Sequence, residues 1–347
     1  FVPPDEQIAR LVRYETEYKR HQALPQPRIL AVDVDVDLRP EDQSMRASVR
    51  YRVHNPHAGP IAELHVAVPD DRALVAVDLG GQTLVTHDAP LGYRIYRLDQ
   101  PLQPGDERQL AFDMAYVPRG FGNQRGPTEF VENGSFFNSR LFPSFGYDPE
   151  RELADRNERR EQGLPPPMRM PPLEDAAALA NTYLTDDADW VAFKASICTA
   201  PDQVALAPGY LVREFTRDGR RCFSYAMDRP MMNFHAYLSG RWDVRKGDYK
   251  GLPIEVYHDP RHGYNVDRMI DSAKKSLGYF EQNFSPYQHR QLRIIEFPGY
   301  ADFAQSFANT IPYSETIGFI TDLRDPAEID YVFYVTAHEA AHQWWAH

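Results

Sequence analysis

The sequence predicts a mainly β, antiparallel N-terminal domain followed by an α+β domain, and three observations carry that reading. Between residues 28 and 245, apolar and polar residues alternate in run after run. Near residue 250 the period lengthens to that of an amphipathic helix. The last ten residues, HEAAHQWWAH, then set two histidines four apart with a glutamate beside the first.

At 347 residues the chain exceeds one ordinary domain, and its 42% hydrophobic content is enough for sizeable cores. The net charge of -12 argues against nonspecific nucleic-acid binding, because phosphates attract a positive surface. No apolar run approaches the roughly 20 residues that cross a bilayer, and no signal peptide is visible. Phe1 is not a natural initiator, so the chain is expected to begin inside a longer protein. Two cysteines, Cys198 and Cys222, are too few for a disulfide scaffold. They are expected as free thiols unless neighbouring strands bring them together.

The elements follow in order. Ile8, Leu11, Val12 and Tyr18 recur at helical spacing, which predicts a lead-in helix over residues 5 to 23 within a segment 1 to 27. Pro25 and Pro27 end it. In ILAVDVDVDL, Val32, Val34, Val36 and Leu38 face one way and Asp33, Asp35 and Asp37 the other, a half-buried strand. The aspartates read as a solvated sheet face, since calcium ligation needs a glycine-turned loop. Met45 to Val53, Leu64 to Val68 and Leu110 to Tyr116 repeat the alternation, so residues 28 to 250 read as one β-rich domain. The glycine- and aromatic-rich stretch from Arg119 to Tyr147 is too irregular for a strand and is expected to be a structured, functional loop. After it, a charge run reads as a short solvated helix and a proline run as an extended arm.

Residues 251 to 347 form the second domain. LPIEVYH and QLRIIEF read as strands, and Val266, Met269, Ile270, Ala273, Leu277 and Phe280 mark a helix between them. ETIGFI reads as a short strand. Asp325, Pro326 and Glu328 form a helix start, and that helix is expected to run to the chain end.

On such a helix His338 and His342 lie about 40° apart on one face. Two imidazoles so placed can hold one Zn²⁺. Glu339 is rotated beside them, where it suits a general base toward a water whose pKa the metal lowers. A glutamate on so apolar a helix is costly unless something pairs with it. His347 falls about 180° around the helix from His338 and is not expected to ligate. The third ligand is therefore expected beyond the chain. His235 and His258 read as structural histidines, and Met231 and Met232 as core filler.

HEAAHQWWAH resembles the corresponding motif of the M1 zinc aminopeptidases, a gluzincin family, in which HExxH is followed by Q-W-W or Q-W-F. PYSETIGFI resembles the family's G-x-M-E-N stretch, with Glu315 on its glutamate and Gly318 on the glycine that follows. Pro312, Thr316 and Ile317 depart from the family's glycine, asparagine and tryptophan, which leaves exopeptidase against endopeptidase action open. NSRLFPSFGYDPE resembles a β-domain segment, with Arg140, Phe142 and Pro143 in register, and RPMMNFHAYLSGRW resembles the segment closing that domain.

The resemblance implies a saddle-like β domain and an incomplete thermolysin-like catalytic domain that binds zinc and hydrolyses peptides. It implies that Glu339 acts as base and then acid, and that Glu315 binds the substrate's free amine. Asn138, with Phe136 and Phe137, is expected to line the cleft. The family's third ligand, a glutamate, and its transition-state tyrosine would lie downstream, so the isolated chain is expected to be inactive and to bind zinc weakly. The wording around FAQSFANTIPYSETIGFI resembles a subgroup fused to an ABC-transporter permease. That implies a membrane-anchored parent with a transmembrane permease portion as partner. The alternative is a non-catalytic peptidase-fold module serving a transporter.

Overall fold

The computed structural model describes residues 3–117, 129–168, 171–176, 178, 184, 187–325 and 327–345. Helix α1 (Pro4–Tyr18) opens the chain and continues into a short 3₁₀ turn (Lys19–His21). The strands β1 (Arg28–Arg39), β2 (Ser44–His54), β3 (Ile61–Ala67), β4 (Leu74–Asp78), β5 (Gln82–Asp88), β6 (Tyr93–Leu102) and β7 (Glu107–Tyr116) follow. Short strands β8 (Ser135–Asn138) and β9 (Ser144–Phe145) precede helix α2 (Arg156–Glu161). Next come β10 (Ala188–Thr199), β11 (Val204–Leu206), β12 (Tyr210–Arg217), β13 (Arg220–Ala226) and β14 (Ala236–Gly240). The remainder is β15 (Asp243–Tyr249), β16 (Leu252–His258), α3 (Val266–Asn283), β17 (Leu292–Phe297), β18 (Thr310–Ser314), a π-helical turn (Glu315–Phe319) and α4 (Tyr331–Ala341).

A seven-stranded sheet runs β12-β13-β10-β1-β2-β7-β4, and a four-stranded sheet runs β5-β6-β3-β9. The alternation in β1 does what it predicts. Val32, Val34, Val36 and Leu38 are buried, while Asp35 meets Arg217 and Asp37 meets Arg39 and Arg220 on the outer face. The expectation of an antiparallel domain needs one correction: β1 pairs with β10 in parallel. Alternation fixes which face of a strand is buried, not the direction of its neighbour.

The cysteines also need correcting. Cys198 on β10 stands opposite Cys222 on antiparallel β13, and the two form a disulfide. The stretch expected to be too irregular for strands supplies β8 and β9, although residues 118–128 lie outside the described residues. The charge run does form α2, but it is not fully solvated: Arg159 is buried against Glu15 of α1.

The sheet β15-β16-β17-β18 carries the candidate site. β16, β17 and β18 are parallel, and α3 makes the crossover that parallel strands require. Every residue of β17 is buried. Its odd residues Ile295 and Phe297 join the core of the β-rich region, while Leu292 and Ile294 join the core under α3. β17 is therefore where the two cores meet. The segment expected as a strand from Glu315 is corrected too: the strand is β18, one step earlier, and Glu315 opens the π-helical turn. Gly318 allows this, because a Cβ there would lie 2.3 Å from Tyr313 and 2.7 Å from Met269.

Candidate active site

Helix α4 begins at Tyr331, not at Asp325. Asp330 is the cap, accepting from the Phe333 N–H at 2.9 Å. Asp330 also receives Arg268 of α3, and Ser272 of α3 donates to the Phe333 carbonyl. These contacts from α3 hold the helix start at Asp330, five residues after the expected one. Asp325 instead accepts from Ala327 N–H in a separate turn. The helix also stops at Ala341, short of the chain end.

His338 lies on the last turn of α4 and His342 is its C-cap residue, with their Nε2 atoms 3.1 Å apart. Two ligands at about 2.0–2.1 Å from one tetrahedral ion sit at about that separation, so the imidazoles are aimed at a common point. The His342 Nδ1 faces the Trp345 carbonyl at 3.2 Å, which turns its Nε2 toward His338. Burial and the neighbouring His338 lower the His342 pKa, and the Trp345 carbonyl opposes them. Glu339 is buried, and its Oε2 has no hydrogen-bond partner among the described residues. Burial pushes its pKa up to about 7. A buried carboxylate oxygen left bare beside two convergent imidazoles fits a metal and its water. Among the described residues these three form one group whose ligand atoms lie within 4.8 Å of one another. His347 lies outside the described residues.

The residues after the second histidine lock the helix end. Gln343 is buried and uses both ends of its amide: it donates to Ser306 Oγ at 2.6 Å and the Phe307 carbonyl at 2.9 Å, and accepts from Asn309 N–H at 2.9 Å. Trp344 donates to Ser285 and packs on Phe280 of α3. β18 lies beside the same helix: the Tyr313 hydroxyl, raised by burial, is raised further by the charge of Glu339.

Glu315 follows two residues after Tyr313. Its Oε1 accepts from Gly299 N–H at 2.8 Å. Sequence reasoning missed its two neighbours. His262 Nδ1 lies 3.8 Å from Glu315 Oε2, and Glu296 of β17 lies 2.5 Å from the same nitrogen. These three also present ligand atoms within 4.8 Å of one another. The available signal was a glutamate inside the apolar run LRIIEF, which a buried strand tolerates only with a partner.

Asn138 spends its amide on Arg140 N–H and on Gln305, in the segment before β18. Phe136 and Phe137 are buried in the core, against Phe297 and Tyr237, so they do not line an open cleft. His235 and His258 are buried, with partners in Tyr237 and the Asp259 carbonyl, and Met231 and Met232 are core residues. Two cavities, one at Pro40–Gln43 and one beside Asp218, lie apart from these groups.

No family model and no curated protein matches the sequence. Solved structures do. A two-domain M1 zinc metallopeptidase mutant bound to L-arginine matches with TM-score 0.58 and 14% identity, over 92% of this chain and 65% of that one. The M1 zinc metallopeptidase of Deinococcus radiodurans matches with TM-score 0.58 and 13% identity, over 93% and 65%. A mutant bound to L-tryptophan matches with TM-score 0.54 and 13% identity, over 93% and 66%. The chain thus spans about 65% of the length of these structures. No helix among the described residues is long and apolar enough to cross a membrane. The mainly β chain, with its several sheets and few helices, has the fold of the two-domain M1 zinc metallopeptidases.

Proposed function

We propose that this chain carries the HExxH part of a zinc metallopeptidase that removes N-terminal residues from peptides. The observation that carries the reading is the 3.1 Å approach of the His338 and His342 Nε2 atoms beside the bare, buried Oε2 of Glu339. His338 and His342 would hold the zinc. When bound, it would lower the pKa of a water and polarise the scissile carbonyl. Glu339 takes the proton from the attacking water and returns it to the leaving amine.

Glu315, fixed through Oε1 by Gly299, offers Oε2 to the substrate's ammonium group. The free amino acids held by two of the similar structures, L-arginine and L-tryptophan, support a subsite for an amino acid with a free amine. Asn138, which donates to Gln305, is proposed to line the substrate cleft. The reading keeps a saddle-like β domain over 28–250 and an incomplete thermolysin-like domain over 251–347.

The test is turnover of a fluorogenic leucyl-amide together with zinc calorimetry. Residues 1–347 alone should bind zinc weakly and show no turnover, and the longer protein should bind zinc and turn over. Full turnover by residues 1–347 would overturn the incompleteness. A zinc-loaded longer protein without turnover would overturn the peptidase reading in favour of a scaffold module.

A further inference from the structure

Three elements meet at the Glu315 carboxylate: the turn after β16 carrying His262, strand β17 carrying Glu296, and the π-helical turn that Glu315 opens. The Gly299 N–H approaches Glu315 because glycine leaves room: a Cβ there would lie 2.6 Å from Thr316 and 3.1 Å from Glu315 Oε1. Glu315 Oε2 stands 3.8 Å from His262 Nδ1, too far for a hydrogen bond and near enough to feel its charge. His262 is itself pinned, with Nδ1 2.5 Å from Glu296 Oε1, while Glu296 Oε2 accepts from Asp259 N–H at 2.6 Å. Glu296 is buried, whereas His262 and Glu315 are partly open to solvent. Glu315 Oε2 is therefore the oxygen placed to receive a cation.

We propose that the His262–Glu296 pair, through its own charge, sets how firmly Glu315 holds a substrate's ammonium group. This rests on the reading of Glu315 as the amine anchor. With one proton between them, His262 and Glu296 are together neutral. Losing that proton leaves a negative charge beside Glu315, and gaining a second leaves a positive one. Ammonium binding therefore tightens as pH rises through these steps. Burial pushes Glu296 up to about 7, against the pull of His262 and the Asp259 N–H, so the change falls near neutrality. The other charged groups facing His262 do not share it. Asp259 is held down to about 2, by Arg261 first, and Arg261 is raised by the same pairing. His258 sits on the Asp259 carbonyl.

The test is an NMR shift titration of the longer, zinc-loaded protein with L-leucinamide and with N-acetyl-L-leucinamide, at about pH 5.5 and pH 7.0. Wild-type affinity for leucinamide should rise about fivefold between the two, as expected for one charge a few ångströms away. The acetylated probe should show no such rise. The double variant His262→Gln/Glu296→Gln should change less than twofold. If it does not fold, Glu296→Gln alone should shrink the rise, because the buried carboxylate whose charge changes is gone. A purely structural role would weaken both probes alike and leave the pH profile in place. No preference for the free amine in the wild type sinks the Glu315 reading and this inference with it. A preference that Glu315→Gln abolishes, but that keeps its wild-type pH profile in the His262 and Glu296 variants, sinks this inference alone.

Discussion

Glu15 of α1 and Glu339 of α4 are both buried glutamates on helices, and the molecule treats them in opposite ways. Arg159 grips both Glu15 oxygens, at 2.7 and 2.8 Å, and Lys19 adds a further contact at 3.2 Å. Arg159 in turn donates to the Leu153 and Pro165 carbonyls. Burial alone would raise the Glu15 pKa, but Arg159 and Lys19 outweigh it and the net shift is downward. Among the described residues Glu339 has no such cation, one oxygen is bare, and its pKa goes up. The difference separates a carboxylate that ties α1 to α2 from the one proposed above as the general base. A satisfied buried charge reports on architecture, and an unsatisfied one on chemistry.

Glu339→Gln gives the largest expected effect. In the zinc-loaded active enzyme it should lower kcat about 10³-fold, within the range for a lost general acid-base, with the unfolding midpoint unchanged or raised. A destabilised variant with ordinary turnover would place Glu339 in the same class as Glu15.

Arg159→Met comes next, at about 3 kcal/mol of stability in urea unfolding, because it strands a buried carboxylate. Adding Glu15→Met should recover much of that loss. The pH dependence carries the same sign. Because the folded-state pKa of Glu15 is lowered, its contribution is present above the unfolded value and is lost as pH falls through the folded one. Arg159→Met should flatten that acid limb, and an unchanged limb would mean the pair is not what sets it.

The smallest effect separates the two capping aspartates. Asp330→Ala should cost about 1 kcal/mol, and Asp325→Ala much less, since only Asp330 caps α4. Equal losses would restore the earlier helix start.

Part of the candidate site is legible in the sequence. The spacing of His338 and His342 is local, and a helix converts it directly into two rings on one face. The strand faces of the β-rich region follow from a period of two for the same reason. What was missed is long-range. His262, Glu296 and Glu315 are far apart along the chain, and only β17 between two cores and the turn after β16 bring them together. Arg159 looked like part of a solvated charge run because nothing local reveals that α1 will dock on it.

The amino-acid order by itself determined which faces of the strands are apolar, that a helix would carry HExxH, and that Glu339 would be costly where it stands. Tertiary structure alone decided that Cys198 meets Cys222, that β1 runs parallel to β10, and that Arg268 selects Asp330 as the cap. Periodicity is set by residues within a few positions of each other. Pairing is set by which buried surfaces and charges find partners across the fold, and no window of sequence contains both halves of such a pair.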